Sequence, residues 1–362
     1  MMKRIIALLI FAGVVFVYWF MLNNPPRKTE VDGKPVVKVG VIYPMTGNIA
    51  SIGIAGQIGI DMARKKIEEM NPKYQYEFIL EDNQFDNAKT AVILNKLLHV
   101  DKVDAVIDSG AGVGNVTSPV LEKEKIIHFN WSSDPNVAKG KYNFINWTQP
   151  PAQAKKMVEI IEGKNYKNVW IVTANHSGPI AVTEGLEAEL NKRNITNKVK
   201  KINMGTRDMR IDIEKIQQDK ADLIVLVLFD PDLTVFLKQF REREGKADLT
   251  AIEVFSFLED YSLVEGSWYI DAAEGNNEVT DEVRRITNSN VVLGASNSYD
   301  IVMMLFDAFE KAETKDQAVD ELLKVKEYDG LTGKLVQDEE GIFQSEAVVK
   351  KIVNGKQVLV EE

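Results

Sequence analysis

The sequence predicts an α/β protein made of two doubly wound lobes, and three observations carry that expectation. First, the stretch VKVGVIYPMTGNIASIGIAGQIG (Val37–Gly59) reads as a buried strand, a turn containing Thr46, Gly47, Asn48, Ser51 and Gly53, and the start of a long helix. Second, short apolar strands then alternate with amphipathic helices, the pattern of a parallel sheet covered on both faces. Third, that series breaks at the extended, proline-limited stretch Asn143–Pro151 and begins again, so the chain divides into two units.

The elements follow in order. Val37, Val39, Val41 and Ile42 form the opening strand, and its turn lies where open α/β sheets bind ligands. Ile58–Glu69 carries Ile60, Met62, Ala63 and Ile67 between charges, an amphipathic helix. Tyr76–Leu80 is strand-like and leads into the polar turn EDNQFD (Glu81–Asp86), followed by a helix over Ala88–Val100. Asp104–Ile107 is a short strand ending in the loop Asp108–Gly114, and Val116–Glu124 is the next helix. Ile126–Phe129 is a strand ending in NWSSDP. The second series has helices at Gln153–Glu162, Ile180–Arg193, Ile211–Gln218 and Leu233–Glu244. Its strands are Val169–Thr173, Val199–Asn203, the fully apolar Leu223–Phe229, and Ile252–Phe257. Asn297–Glu313 and Lys315–Val325 read as helices, and Lys334–Val336, Ala347–Val353 and Gln357–Val360 as strands. A β-rich ending on an α/β chain indicates that the polypeptide returns to complete earlier sheets.

Ahead of the first strand, Met1–Leu22 has a targeting grammar. Lys3 and Arg4 precede an apolar run from Ile5 to Leu22, whose length at about 1.5 Å per residue is roughly 27 Å, enough to span a bilayer core. The basic flank would stay in the cytoplasm and send the remainder outward. The bulky end of the run, Tyr18 to Leu22, favours an uncleaved anchor over a cleaved signal peptide, which needs small residues at its cleavage site. Residues 25–36, with three prolines between Asn23 and Pro35, read as a linker. The chain has no cysteine, which excludes both a lipoprotein anchor and disulfide support. A net charge of −10 argues against nucleic acid or an anionic membrane as the main partner.

At this point the residues resemble a family, the Leu/Ile/Val-binding type of periplasmic solute-binding proteins of ABC transporters. The pieces are VGVIYPMTGNIASIG, EDNQFDNAKTAV, VDAVIDSGAG, EKEKIIHFNWSSDPNV and the late DGLTGKLVQDEEGIF, in the family's order and over roughly Val37–Val360. The resemblance implies a type I periplasmic-binding fold, with two Rossmann-like lobes joined by three crossings near Asn146, Ile270 and Leu331 and a ligand clamped between them. Lobe 1 would then hold residues 37–146 and 271–330, and lobe 2 residues 147–270 and 331–362. It also implies a small polar ligand, an amino acid or related amide, and docking on ABC permease subunits. A sensor docking on a membrane receptor is the alternative output of the same fold.

Three loops of the first lobe point at the expected cleft: Ser51 and Ile52, the segment DSGAGVG with Gly110, Ala111 and Gly112, and Trp131, Ser132 and Ser133. Hydroxyls and glycine-freed backbone N–H groups at a helix start suit a carboxylate without a buried counter-charge. Ser133-Asp134-Pro135 equally spells a helix start. By the resemblance, Ser133 falls where the family places a Ser or Thr hydroxyl, whereas Ala111 and Ser177 replace expected contacts. From the second lobe, His176, Ser177 and Phe229 are candidates, with Asp230 or Glu259 as the acid that would meet a ligand ammonium. DSGAGVG is not a dinucleotide fingerprint, since its glycine spacing is wrong and it does not follow the first strand. With only His99, His128 and His176, and no Cys, the sequence holds no catalytic constellation, no metal-ligand spacing and no sign of a cofactor. The five Asn-x-Ser/Thr sites read as chance, because several fall in the expected cleft or crossings.

Overall fold

A computed structural model describes residues 30–31, 33–273 and 277–360, and the expected membrane-targeting segment lies outside them. Strand β1 (Glu30–Val31) pairs antiparallel with the start of β2 (Lys34–Tyr43), so the expected linker ends in a small strand pair. The chain continues through α1 (Ala50–Glu69), β3 (Gln75–Asp82), α2 (Asn87–Lys96), β4 (Ala105–Ser109), α3 (Ala111–Glu124), β5 (Ile127–Trp131) and β6 (Asn143–Asn146). Strands β3, β2, β4, β5 and β6 lie side by side in that order, all parallel. Every residue of β4 and β5 is buried, as their apolar runs require of strands covered on both faces.

A second sheet starts after the first crossing, with α4 (Pro150–Gly163), β7 (Asn168–Ala174), α5 (Ser177–Lys192), β8 (Thr196–Ile202), α6 (Arg210–Gln218), β9 (Leu223–Val227), α7 (Asp232–Glu242) and β10 (Asp248–Ala251). Its parallel order is β8, β7, β9, β10, and a bridge between Ile252 and Ile270 extends it to β11 (Trp268–Ala272). Helix α7 shows why such helices form: Leu233, Phe236, Leu237 and Phe240, three and four residues apart, make one buried face.

The remaining elements are α8 (Glu278–Thr287), α9 (Ala295–Lys311), α10 (Lys315–Lys324), β12 (Glu327–Gly330), β13 (Gly333–Gln337), β14 (Ile342–Gln344), β15 (Ala347–Val353) and β16 (Lys356–Leu359). Helix α9 lies against α1 so closely that a Cβ on Gly59 would sit 2.0 Å from the Ala295 carbonyl oxygen, a contact only glycine permits. Strand β14 joins the first sheet beside β6, with Ile342 opposite Ile145 and Phe343 opposite Asn146, and carries β13 and β12 with it. Strand β15 pairs with β11 in the second.

Three expectations are corrected here. The third crossing falls at Ser345–Glu346 rather than near Leu331, because β12–β14 complete the first sheet before the chain leaves it. The second crossing follows Ala272, since Ile270 is inside β11. The strand expected over Ile252–Phe257 ends at Ala251, because Glu253 adopts φ 63° and turns Val254–Phe257 into a short 3-10 helix. Helix α8, not anticipated from sequence, starts at a capping box between Asn277 and Thr280.

Candidate functional site

Loops from the C-terminal ends of β2, β4 and β5 meet loops from β7, β9 and β10 around a cavity of about 80 Å³. This is the crevice beyond the strand ends where open α/β sheets place ligands. The lobes are closed on one another: Phe85 of the first lobe stacks on His176 of the second at 5.1 Å and meets Phe229 edge-on at 6.3 Å.

The first-lobe wall is made of backbone and hydroxyls. Gly110 has φ 87° and a Cβ there would strike the Phe85 ring at 2.6 Å, so glycine is what lets β4 turn directly into α3. The start of α3, at Ala111, therefore borders the cavity, at a helix end whose first N–H groups have no intrahelical partner. Ser109 and Ser132 also line it, and their buried hydroxyls have no hydrogen-bond partner. Behind this wall Asp108 is fully buried and fully partnered: Thr117 Oγ1 donates to it at 2.5 Å, Asn130 Nδ2 at 2.6 Å, and His128 Nε2 lies at 2.9 Å. Asn130 also reaches the Gly110 carbonyl at 3.3 Å, which fixes the turn. Trp131 is oriented by donating to Tyr43 Oη at 3.1 Å and stacks on Trp147 of the first crossing at 5.9 Å.

The second-lobe wall is aromatic and contains one acid. The turn at Glu253, whose N–H bonds to the Ile270 carbonyl at 2.8 Å, aims its side chain into the closed interior. Oε1 accepts from Trp147 Nε1 at 2.6 Å and from Gln153 Nε2, while Ser133 Oγ lies 3.4 Å from Oε2 across the cleft. Burial pushes the Glu253 carboxyl up to about 8, against the three donors and with help from the negative charge of Asp271. Asp271 is itself matched by Lys350 at 3.0 Å. Burial also pushes His176 down, which keeps the ring neutral, and its buried Nδ1 has no partner.

Of the residues expected from sequence, Ile52, Gly110, Ala111, Trp131, Ser132, Ser133, His176 and Phe229 line this cavity. Ser51, Gly112 and Ser177 do not; a Cβ on Gly112 would lie 3.2 Å from His176 Nε2, so it serves the contact between lobes. Asp230 accepts from Thr234 N at 3.1 Å and Oγ1 at 2.7 Å, in the first turn of α7 and outside the cavity wall. Glu259 instead crosses to the first lobe, accepting from Ser289 Oγ at 2.7 Å and Asn290 N at 3.3 Å. The Glu259 correction has a local cause, since the strand after which that acid was sought ends six residues earlier than Phe257, at Ala251, which makes Glu253 the acid at its end. Sequence reasoning also passed over Ser109, Phe85 and Trp147, all inside segments it had singled out. Among the described residues no group of His, Asp and Glu is arranged to hold a metal ion.

A family model for periplasmic binding proteins matches residues 36–356, and the chain belongs to that family. It is thus a binding protein of the extracytoplasmic space rather than an enzyme. A comparison with curated proteins by sequence finds no significant match. Among solved structures, the chain is similar to the leucine-binding protein LivK of Thermotoga maritima, with a TM-score of 0.78 and 20% identity over 90% of this chain and 98% of that one. It is similar to the branched-chain amino acid transporter substrate-binding protein LivJ of Streptococcus pneumoniae in complex with isoleucine, at 0.79 and 20% over 90% and 100%. A solute-binding protein of an R. palustris ABC transporter in complex with 4-hydroxybenzoate is similar at 0.77 and 16% over 90% and 96%. These likenesses show the fold, the type I arrangement of two α/β lobes.

Proposed function

We propose that the protein captures an amino acid with an apolar side chain and delivers it to an ABC importer. The observation that carries this reading is the opposition of two complementary seats across one apolar cavity. On one side stand the unpartnered hydroxyls of Ser109 and Ser132 and the start of α3, donors for a carboxylate. On the other stands the buried Glu253, an acceptor for an ammonium. Between them the wall is Ile49, Ile52, Trp131, Phe229, Val254 and Phe257, with no charged side chain to meet a polar ligand tail. The cavity is far smaller than the 300–1,000 Å³ of drug-sized pockets, which suits a small solute.

Closure supplies the affinity. With water excluded, each hydrogen bond and charge pair strengthens as the local dielectric falls, and the ligand favours the closed form by its differential affinity for it. An importer would then read the closed shape, while the apolar run Ile5–Leu22 would keep the protein on the outer face of the membrane. The leucine- and isoleucine-type relatives support the amino-acid reading; the 4-hydroxybenzoate complex defines its competitor, an aromatic acid without an amine.

A thermal-shift screen of the full chain with amino acids, amides, aromatic carboxylates and sugars separates the two. An apolar amino acid at a hundred times its Kd should add about 2.7 kcal/mol of stability. A shift only from solutes lacking an α-amino group would refute the reading.

A further inference from the structure

We propose that Glu253 is a proton-for-ammonium exchange site, holding a proton in the ligand-free cleft and releasing it to solvent as the ligand's ammonium arrives. The inference rests on the amino-acid reading above. Its basis is a charge count among buried groups. Glu253, Asp271 and Lys350 are enclosed in the same part of the second lobe. Lys350 Nζ lies 3.0 Å from Asp271 Oδ2, and Ser256 Oγ donates to the same oxygen at 2.6 Å, so this pair is matched without Glu253.

What faces Glu253 is otherwise neutral: Trp147 from the crossing, Gln153 from α4 and Ser133 from the opposite wall. His176 is the other titratable group in the wall, and its burial disfavours the charged ring. Asp230 and Glu259, on the neighbouring second-lobe loops, add no positive charge. A carboxylate enclosed with neutral donors and one extra negative neighbour is costly, and a proton removes that cost. The upward push on its carboxyl, to about 8, has this origin. An incoming ammonium supplies the missing positive charge instead. The balance is Glu253–COOH plus R–NH3+ giving Glu253–COO− paired with R–NH3+, plus one H+ in solvent. Trp147, Gln153, Asp271 and Lys350 move with Glu253 or sit at the hinge, and Ser133 is its one hydrogen-bond partner from the facing lobe, so parting the lobes brings no positive charge to Glu253.

The exchange keeps the charge at the amine seat unchanged and weakens capture in acid, up to tenfold per pH unit below the Glu253 titration. Isothermal titration of the full chain with L-leucine, L-isoleucine and L-phenylalanine, in buffers of different ionisation enthalpy, reads the released proton directly. A carboxyl that burial holds above neutral predicts release of most of a proton per ligand at pH 7, and less as the pH rises through about 8. Glu253→Gln should abolish the release, and 4-methylpentanoate, which is leucine without its amine, should release none. The wild-type fall between pH 7 and pH 8 carries the test where the variant folds poorly. Amino-acid binding at pH 7 with buffer-independent heat overturns the exchange while leaving the amino-acid reading intact. Release that persists in Glu253→Gln belongs to another group and also overturns it. Failure of all three amino acids to bind overturns the amino-acid reading itself, and the exchange with it.

Discussion

Two carboxylates stand behind opposite walls of the cleft, and they are built in opposite ways. Asp108, under the first-lobe wall, is surrounded by Thr117, His128 and Asn130, which saturate it and tie it to the turn at Gly110. Glu253, in the second-lobe wall, lines the cavity and has two firm donors on one oxygen and only a distant serine on the other. A buried acid whose partners are complete holds structure. A buried acid left short of positive charge beside a cavity is arranged to meet a ligand. The same burial therefore serves rigidity in one lobe and recognition in the other.

The largest expected effect tests that contrast at Glu253. Glu253→Gln should weaken binding of an apolar amino acid by about 3–5 kcal/mol in a titration, the cost of leaving a buried ammonium without its partner. Its effect on stability should run the other way at high pH. The Glu253 carboxyl titrates near 8 in the folded protein against an ordinary 4.5, so the folded state keeps a proton that the unfolded chain has lost. Its contribution is fully present below pH 4.5 and is lost as pH rises towards 8, so the Tm of ligand-free wild type should fall across that window. The Gln variant should show a flatter profile and equal or higher Tm at pH 8.

Asp108→Ala should do the reverse, lowering unfolding stability by about 2–4 kcal/mol in urea, because it strands three buried polar partners. Most of its effect should appear in stability rather than in Kd. A variant that loses binding at full stability would make Asp108 a ligand-facing acid and erase the distinction. Ser132→Ala and Ser133→Ala sharpen the first-lobe wall, each costing about 1–3 kcal/mol of carboxylate binding if the hydroxyl is desolvated by the ligand. Ser133 touching only Glu253 would show instead as a change in pH profile. The smallest effect belongs to Glu259, whose bonds to Ser289 and Asn290 join the lobes at the surface. Glu259→Gln should shift the closed fraction seen by small-angle scattering and change Kd about two- to fivefold at most.

The two walls also differ in how far they could be read from sequence. Strand–helix alternation is a local signal, so both sheets and the first-lobe loops were legible, down to Gly110, Trp131 and Ser132 at the cavity. Glu253 was hidden because Ile252, Val254 and Phe255 around it look like a continuing strand, and nothing local reports its reversed φ. Asp230 and Glu259 drew attention as acids at the ends of expected strands, yet one accepts bonds from Thr234 in the first turn of α7 and the other bridges lobes. Phe85 and His176 lie 91 positions apart and meet only when the lobes close, a contact no pattern within either segment encodes. Strand β14 was missed for a related reason: three residues carry no period, and their place beside β6 is decided by tertiary pairing.

The account turns on whether the cavity reads an amine as well as a carboxylate. The direct measurement is the affinity of the full chain for L-leucine against 4-methylpentanoate at pH 8.5, where Glu253 is mostly ionised. Loss of the partner of a buried charge costs about 3–5 kcal/mol, so leucine should bind at least a hundredfold more tightly. Equal affinities, or a preference for the acid without the amine, would contradict the assignment of Glu253 to the ligand.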